Sequence, residues 1–225
     1  MANLLITRNF FDIIDYILEE KINVAILSSL AVPRKVAYRL SRAIEGVEFI
    51  NFQVSLDSIR PEINDISRGK TTLVLSNIEL FLEKEVDIQL ASVIANHNID
   101  YLTEIIDRYY PRVKRFHFMN VMPSVKVSKN DNMLDLVPHT GRTKQFWKDL
   151  LTQYGRRIVT NPPSIRNSNE DQSFCFQGCS AGHLFCVIDS TLDVLACNMA
   201  KTFILGNLRA VSYTHLRAHE TEADI

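Results

Sequence analysis

Glu48-Phe-Ile-Asn-Phe-Gln-Val-Ser55-Leu56-Asp57-Ser58 runs from a charged residue through an aromatic and aliphatic stretch into a polar turn. It reads as a buried strand over 48–55 whose carboxyl end carries hydroxyl and carboxylate groups. The same plan recurs around it. Ile22-Asn-Val-Ala-Ile-Leu precedes it, and Val86-Asp-Ile-Gln-Leu-Ala-Ser-Val-Ile94 and Arg115-Phe-His-Phe-Met-Asn-Val121 follow it. Segments with helical spacing lie between them near 33–45, 70–84 and 98–110, and another at 9–20 comes first, with Asn9 as its candidate cap. Strands that alternate with helices at about 30-residue intervals are parallel strands joined by right-handed crossovers, hence an α/β sheet or barrel.

In such sheets the reactive groups sit at the carboxyl ends of the strands, where loops vary on a fixed scaffold. Those ends are polar here: Ser28-Ser29, Ser55-Leu-Asp57-Ser58, Asn96-His97-Asn98 and Asn120-Val-Met122-Pro123. A plainer reading makes such residues helix caps, each worth about 1 kcal/mol. Capping is the expectation for Ser29 and Asn98. It is weaker for Ser55 and Asp57, because residues 58–69 read as a long polar turn that separates them from the next helix.

The 225 residues are 46% hydrophobic and 23% charged, with a formal net charge of −1, which is ordinary globular composition. No basic field or dense Lys/Arg run invites nucleic acid, and no stretch approaches the roughly 18 apolar residues that span a bilayer. A cytoplasmic protein with neither nucleic acid nor membrane as partner is expected. Beyond an irregular stretch at 124–137, residues 140–154 show helical spacing around Trp147, and 160–174 are loop-like. A second module then begins near 171. Its segment His183-Leu-Phe-Cys-Val-Ile188, the turn Asp189-Ser-Thr-Leu-Asp193 and Val194-Leu-Ala-Cys197 read as a small β-hairpin. All cysteines of the chain, Cys175, Cys179, Cys186 and Cys197, lie in this module. In a reducing cytosol, clustered thiols favour metal ligation over bridging.

From about residue 6 to 210 the chain resembles the later part of a radical S-adenosylmethionine (SAM) enzyme with a C-terminal SPASM or twitch extension, the carrier of auxiliary iron-sulfur clusters. The resemblance is carried by Cys179-Ser-Ala-Gly182, Ile188-Asp189, Val194-Leu-Ala-Cys197 and Gly206-Asn207-Leu208. Leu192 stands where the family hairpin turns on glycine. A leucine at positive φ would cost on the order of 1–2 kcal/mol, so a different turn type is expected. Val54-Ser55-Leu56-Asp57-Ser58 with Asp65-Ile-Ser-Arg68-Gly69 is similar to the family's fourth-strand motif and loop, and Phe118-Met119-Asn120-Val121-Met122-Pro123 to its sixth-strand end. The resemblance implies a partial (β/α)6 radical SAM barrel over 1–137, a linking helix and loop over 138–170, and a partial SPASM/twitch module with its cysteine-containing hairpin over 171–210. It implies SAM contacts at Ser55, Asp57, Arg68 and Met122, the serine and aspartate against the ribose, and cluster ligands at Cys179, Cys197 and Cys175.

The same resemblance implies a [4Fe-4S] auxiliary cluster, SAM, a peptide or small-molecule substrate, and a reductant such as flavodoxin or ferredoxin. Ser28-Ser29-Leu30 departs from the Thr-Asn-Gly usual at the third-strand end. No cysteine precedes 175, so the Cys-x3-Cys-x2-Cys cradle of the SAM-cleaving cluster is not in this sequence. The expectation is a fragment of a radical SAM oxidoreductase or peptide maturase, itself inactive and poorly folding, with an adapter-derived tail at 211–225. The His215 and His219 pair in that tail is discounted as a metal site. A non-catalytic zinc-binding or interaction protein is the alternative, since zinc takes four thiolates. Cys186, within an apolar strand, reads as ligand or buried small hydrophobe. His117 points away from Phe116 and Phe118, towards substrate or into a core. Lys126, Lys129 and Asp131 could grip substrate or simply be solvated.

Overall fold

A computed structural model describes residues 9–121, 135–155, 159–160, 186–197 and 204–209. The first elements are α1 (Phe10–Glu19), β1 (Val24–Ser28), α2 (Arg34–Ala43) and β2 (Ile50–Ser55). Then come α3 (Pro61–Ser67), α4 (Thr71–Glu83), β3 (Ile88–Ile94), α5 (Thr103–Tyr109), β4 (Arg115–Asn120), α6 (Thr140–Tyr154) and β5 (Val159–Thr160). The five strands form one sheet in chain order, every neighbouring pair parallel. The alternation expected from the sequence is therefore present, with β1 to β4 each ending within one residue of the expected carboxyl end.

Register divides the sheet into two faces, because strand side chains alternate. Ser28, Val54, Leu90 and Phe116 stand side by side, and Leu27, Gln53, Gln89 and Arg115 form the adjacent row. Ile26, Phe52, Val54, Ile88, Leu90, Ile94, Phe116 and Phe118 all lie on the first face. They share one apolar core with Ile14 of α1, Leu40 of α2, Ile78 of α4, Ile105 of α5 and Trp147 of α6. The second face is different. Leu27 is 63% exposed and Met119 38%, while Gln53, Ser55 and His117 are half-buried. On the side away from the core the sheet thus presents a second, mixed face, on which Gln53, Ser55, Gln89 and His117 stand among Leu27, Ala91 and Met119.

Several expectations change. Residues 61–67 are a helix, not part of a long turn: Pro61 sets the first φ and Glu62 complements the positive helix end. Its seven residues, about two turns, carry too few apolar side chains for a period to show, and Ile66 is 59% exposed. Strand β5 falls where the sequence reads as the start of a loop. Asn9 makes no side-chain capping bond. Ser29 accepts the Ala31 N–H at 3.4 Å, but the N-cap position of α2 is Pro33, and that of α5 is Leu102, not Asn98.

The chain divides into two compact units, Met1–Pro123 with Val127–Ser164, and Ser124–Lys126 with Ile165–Ile225. Helix α6, expected as a linking element, belongs to the first unit and buries Trp147 and Leu150 in its core. In the second unit β6 (Val187–Ile188), β7 (Asp193–Leu195) and β8 (Ile204–Asn207) form an antiparallel sheet of three strands, one more than the hairpin expected. The turn also corrects an expectation. Leu192 does adopt positive φ, +67°. Hydrogen bonds hold it there: Asp189 Oδ1 accepts the amides of Thr191 (2.8 Å) and Asp193 (3.0 Å), and the Leu208 N–H reaches the Leu192 carbonyl at 2.9 Å. Asn207 donates to Asp193 Oδ1 at 2.8 Å and to the Thr191 carbonyl at 3.1 Å. The Gly206-Asn207 pair thus lies in β8 and braces the β6–β7 turn.

Candidate functional site

The densest polar constellation of the first unit lies at the carboxyl ends of β2 and β3. Asp57, two residues beyond β2, is 2% exposed. Its Oδ2 accepts Arg68 Nε at 2.8 Å and Ser67 Oγ at 2.7 Å. Its Oδ1 accepts Arg68 Nη2 at 3.2 Å and the Val93 backbone N–H at 2.9 Å. Helix α3 explains the meeting: it turns the chain back so that Ser67 and Arg68 return to the strand end they left ten and eleven residues earlier.

The backbone around Asp57 is held as firmly as its side chain. Asn64, 1% exposed on α3, accepts the N–H groups of Asp57 (2.9 Å) and Ser58 (3.2 Å) and donates to Thr71 Oγ1 at 2.7 Å. Thr71 in turn bonds Asp65, whose Oδ1 takes its N–H at 3.0 Å as well as its hydroxyl. In the turn after β3, Asn98 is fully buried and donates to the carbonyls of Asp57 (3.2 Å) and Val93 (2.8 Å), while accepting Ala95 N–H at 2.8 Å. Ser92 Oγ reaches the Leu56 carbonyl at 2.5 Å. Buried polar groups left unpaired cost about 1–3 kcal/mol each, so these bonds together hold the turn after β2 in one conformation.

Of the residues expected to contact SAM, the structure brings Ser55, Asp57 and Arg68 to one strand end; Met122 lies outside the described residues. Ser55 is half-buried on the second face, in register with Ala91, which is itself in register with His117. Burial pushes the His117 imidazole below its ordinary pKa, so it favours the neutral form. Among the expected cluster ligands, Cys175 and Cys179 fall outside the described residues, as do Lys126, Lys129 and Asp131. Cys186 and Cys197 are half-buried in the second unit. Among the described residues no group of three or more His, Cys, Asp or Glu side chains could hold a metal ion.

Sequence reading missed Asn64 and Ser67 and gave Asn98 the wrong task. Asn98 had a usable signal, an amide directly after a strand, but capping explains that signal equally well. Asn64 and Ser67 sat inside the stretch read as a turn, so their return to Asp57 was hidden with the helix.

A parallel sheet packed against helices, with a polar constellation at its strand ends, agrees with the fold that the radical SAM resemblance implies, and the comparisons bear out that resemblance. No family model matches the chain. In sequence it is 25% identical over 212 residues to mycofactocin maturase MftC of Mycolicibacterium smegmatis, covering 90% of this chain and 52% of that protein. The Mycobacterium tuberculosis MftC is 26% identical over 212 residues, covering 89% and 52%. The chain therefore spans about half the length of these curated relatives. Among solved structures, Streptococcus suis SuiB bound to S-adenosylmethionine superposes with a TM-score of 0.69 at 15% identity, over 94% of this chain and 52% of that one. The anSMEcpe protein with bound AdoMet gives 0.67 at 15% identity, over 93% and 59%. At such identities these structures show a shared fold.

Proposed function

We propose that this chain is part of a radical SAM enzyme that modifies a peptide, working in the cytoplasm with SAM, iron-sulfur clusters and an electron donor such as flavodoxin or ferredoxin. The observation that carries this is the Asp57–Arg68 constellation at the end of β2, at the place and in the residue types that the family resemblance implies for SAM. Sequence similarity to maturases over nine-tenths of the chain supports it, as does the likeness in fold to SuiB, one of whose structures holds the precursor peptide SuiA.

The residues present fit SAM in chemistry. Arg68 is a fixed cation on a partly exposed side chain, and the half-buried Ser55 offers a hydroxyl on the second face. Ser55, Arg68 and Met122 would line the bound molecule, with Asp57 behind Arg68. When bound beside a reduced cluster, SAM supplies the 5′-deoxyadenosyl radical that takes a hydrogen atom from substrate. The chain's own part is to orient the reactants and exclude water.

In the second unit, Cys179, Cys197 and Cys175 are the proposed ligands of an auxiliary [4Fe-4S] cluster within a SPASM/twitch module, soft thiolates being what such a cluster takes. We extend the first assignment to a partial barrel over 1–137, against whose core α6 packs, and treat the rest of 138–170 as the connection to that module at 171–210. Anaerobic reconstitution with iron and sulfide tests the module. An iron-sulfur absorption band that is lost in C179A and in C197A is expected. One equivalent of zinc with no iron-sulfur band would overturn the cluster assignment and favour a zinc-binding protein.

A further inference from the structure

We propose that Asp57 does not touch the cofactor and is instead a positioning residue that holds Arg68 towards the cofactor's carboxylate. The proposal rests on the reading of the β2 end as a SAM site. It departs from the role that the family resemblance implies for Asp57, a contact to the ribose.

The argument is one of acceptor capacity. An ionised carboxylate offers about four lone-pair positions. Arg68 Nε and Ser67 Oγ take those on Oδ2, and Arg68 Nη2 and the Val93 N–H take those on Oδ1. The Asp57 side chain is 3% exposed. A ribose hydroxyl could bond to it only by displacing a backbone amide, a hydroxyl or the guanidinium, each of which would then be left unpaired. Nor can the turn swing to present the carboxylate elsewhere. Asn64 holds the Asp57 N–H and Asn98 its carbonyl, both from buried positions.

Arg68 is in the opposite condition. Its side chain is 28% exposed, and the edge formed by Nε and Nη2 is the one that faces Asp57. The edge formed by Nη1 and the second Nη2 hydrogen makes no bond among the described residues. A guanidinium with one edge fixed by a buried carboxylate can grip a second planar anion in bidentate fashion with the other. SAM carries one such group, its carboxylate; the ribose hydroxyls, amine and sulfonium do not match. Asp57 thus orients the fork, and removing it would free Arg68 to rotate.

Binding of two ligands to the chain separates the alternatives: SAM, and 5′-methylthioadenosine, which keeps the ribose and adenine but has no carboxylate. Asp57→Asn is expected to weaken SAM about tenfold or more, the scale of a lost charge-assisted hydrogen bond, and to leave 5′-methylthioadenosine within about twofold. Arg68→Lys should show the same selectivity, and the double variant should add little to either single one. Equal weakening of both ligands by Asp57→Asn would overturn the positioning role while leaving the cofactor reading in place. A wild-type chain that binds neither ligand would overturn the cofactor reading and the inference with it.

Should Asp57→Asn fail to fold, the wild-type protein still decides the question by NMR. Saturating 5′-methylthioadenosine should leave the Arg68 Nε–H resonance and the Val93 amide protection unchanged, and SAM should move the former. Loss of Val93 protection with 5′-methylthioadenosine would show a hydroxyl entering the Asp57 carboxylate and would overturn the proposal.

Discussion

Asn98 Nδ2 donates to the backbone carbonyl of Asp57 at 3.2 Å, across 41 residues of sequence. That one bond ties the end of β3 to the turn after β2. Asn98→Ala would leave three partners without it: the buried carbonyl of Asp57 and amide of Ala95, and the part-buried carbonyl of Val93. With about 1–3 kcal/mol lost for each group that stays dry, and water reaching some of them, a destabilisation of about 2–4 kcal/mol is expected. Urea unfolding should show a lower midpoint with an unchanged slope. An effect below about 1 kcal/mol would mean that the clamp is not maintained in solution.

Leu192 offers the opposite sign. Its φ of +67° places a branched side chain in the left-handed region, where an L-residue pays about 1–2 kcal/mol. Leu192 is only half-buried, so little apolar contact is lost on shortening it. Leu192→Gly should therefore stabilise the antiparallel sheet by about 1 kcal/mol, the relief of strain outweighing the added entropy of the unfolded glycine. Amide exchange at Val194 and Leu195 is the readout, and it should slow. Unchanged or faster exchange would mean that the turn relaxes to negative φ.

These two residues also show what the sequence could and could not disclose. The α/β order was legible because strand and helix periods are local, and the short runs of β2 and β3, bounded by polar turns, read as strands. The motif residues at the strand ends were singled out by resemblance, and Ser55, Asp57 and Arg68 do lie at one strand end. Asn98 and Leu192 were placed but misread, since whether an amide caps a helix or crosses to another strand depends on partners far away in sequence. The turn at Leu192 was judged by its own intrinsic cost, whereas Asp189 and Asn207 supply the hydrogen bonds that offset it. Helix α3 escaped because seven residues show no period, and with it went the route that brings Arg68 back to Asp57.

His117 should report the second face of the sheet. Burial holds its pKa below the ordinary 6.5, so the unfolded chain binds this proton more readily than the folded one. The sign follows: the contribution of His117 to stability is fully present above pH 6.5 and is lost as pH falls through its lower, folded value. An NMR titration of the imidazole should give a midpoint below 6.5, and His117→Gln should flatten the part of the acid destabilisation that begins there. A midpoint at or above 6.5 would show that the ring is solvated.

Leu30 tests the same backbone strain as Leu192 in a setting where packing decides. Its φ is +53°, yet its side chain is fully buried in the first unit's core. Asn77, also fully buried, donates both amide hydrogens to the carbonyls of Leu30 and Val32, each at 2.9 Å, and so holds the turn after β1 in place. Replacing Leu30 with glycine would relieve about 1–2 kcal/mol of strain. It would also remove a buried leucine, for which truncation costs about 2–5 kcal/mol, and add chain entropy to the unfolded state. The cavity wins, and Leu30→Gly should destabilise by about 2–4 kcal/mol. Asn77→Ala should cost a comparable amount through its two stranded carbonyls. Denaturation of the two variants beside Leu192→Gly is the check: a stabilised Leu30→Gly protein would mean that strain, not packing, sets the energy of the β1 turn.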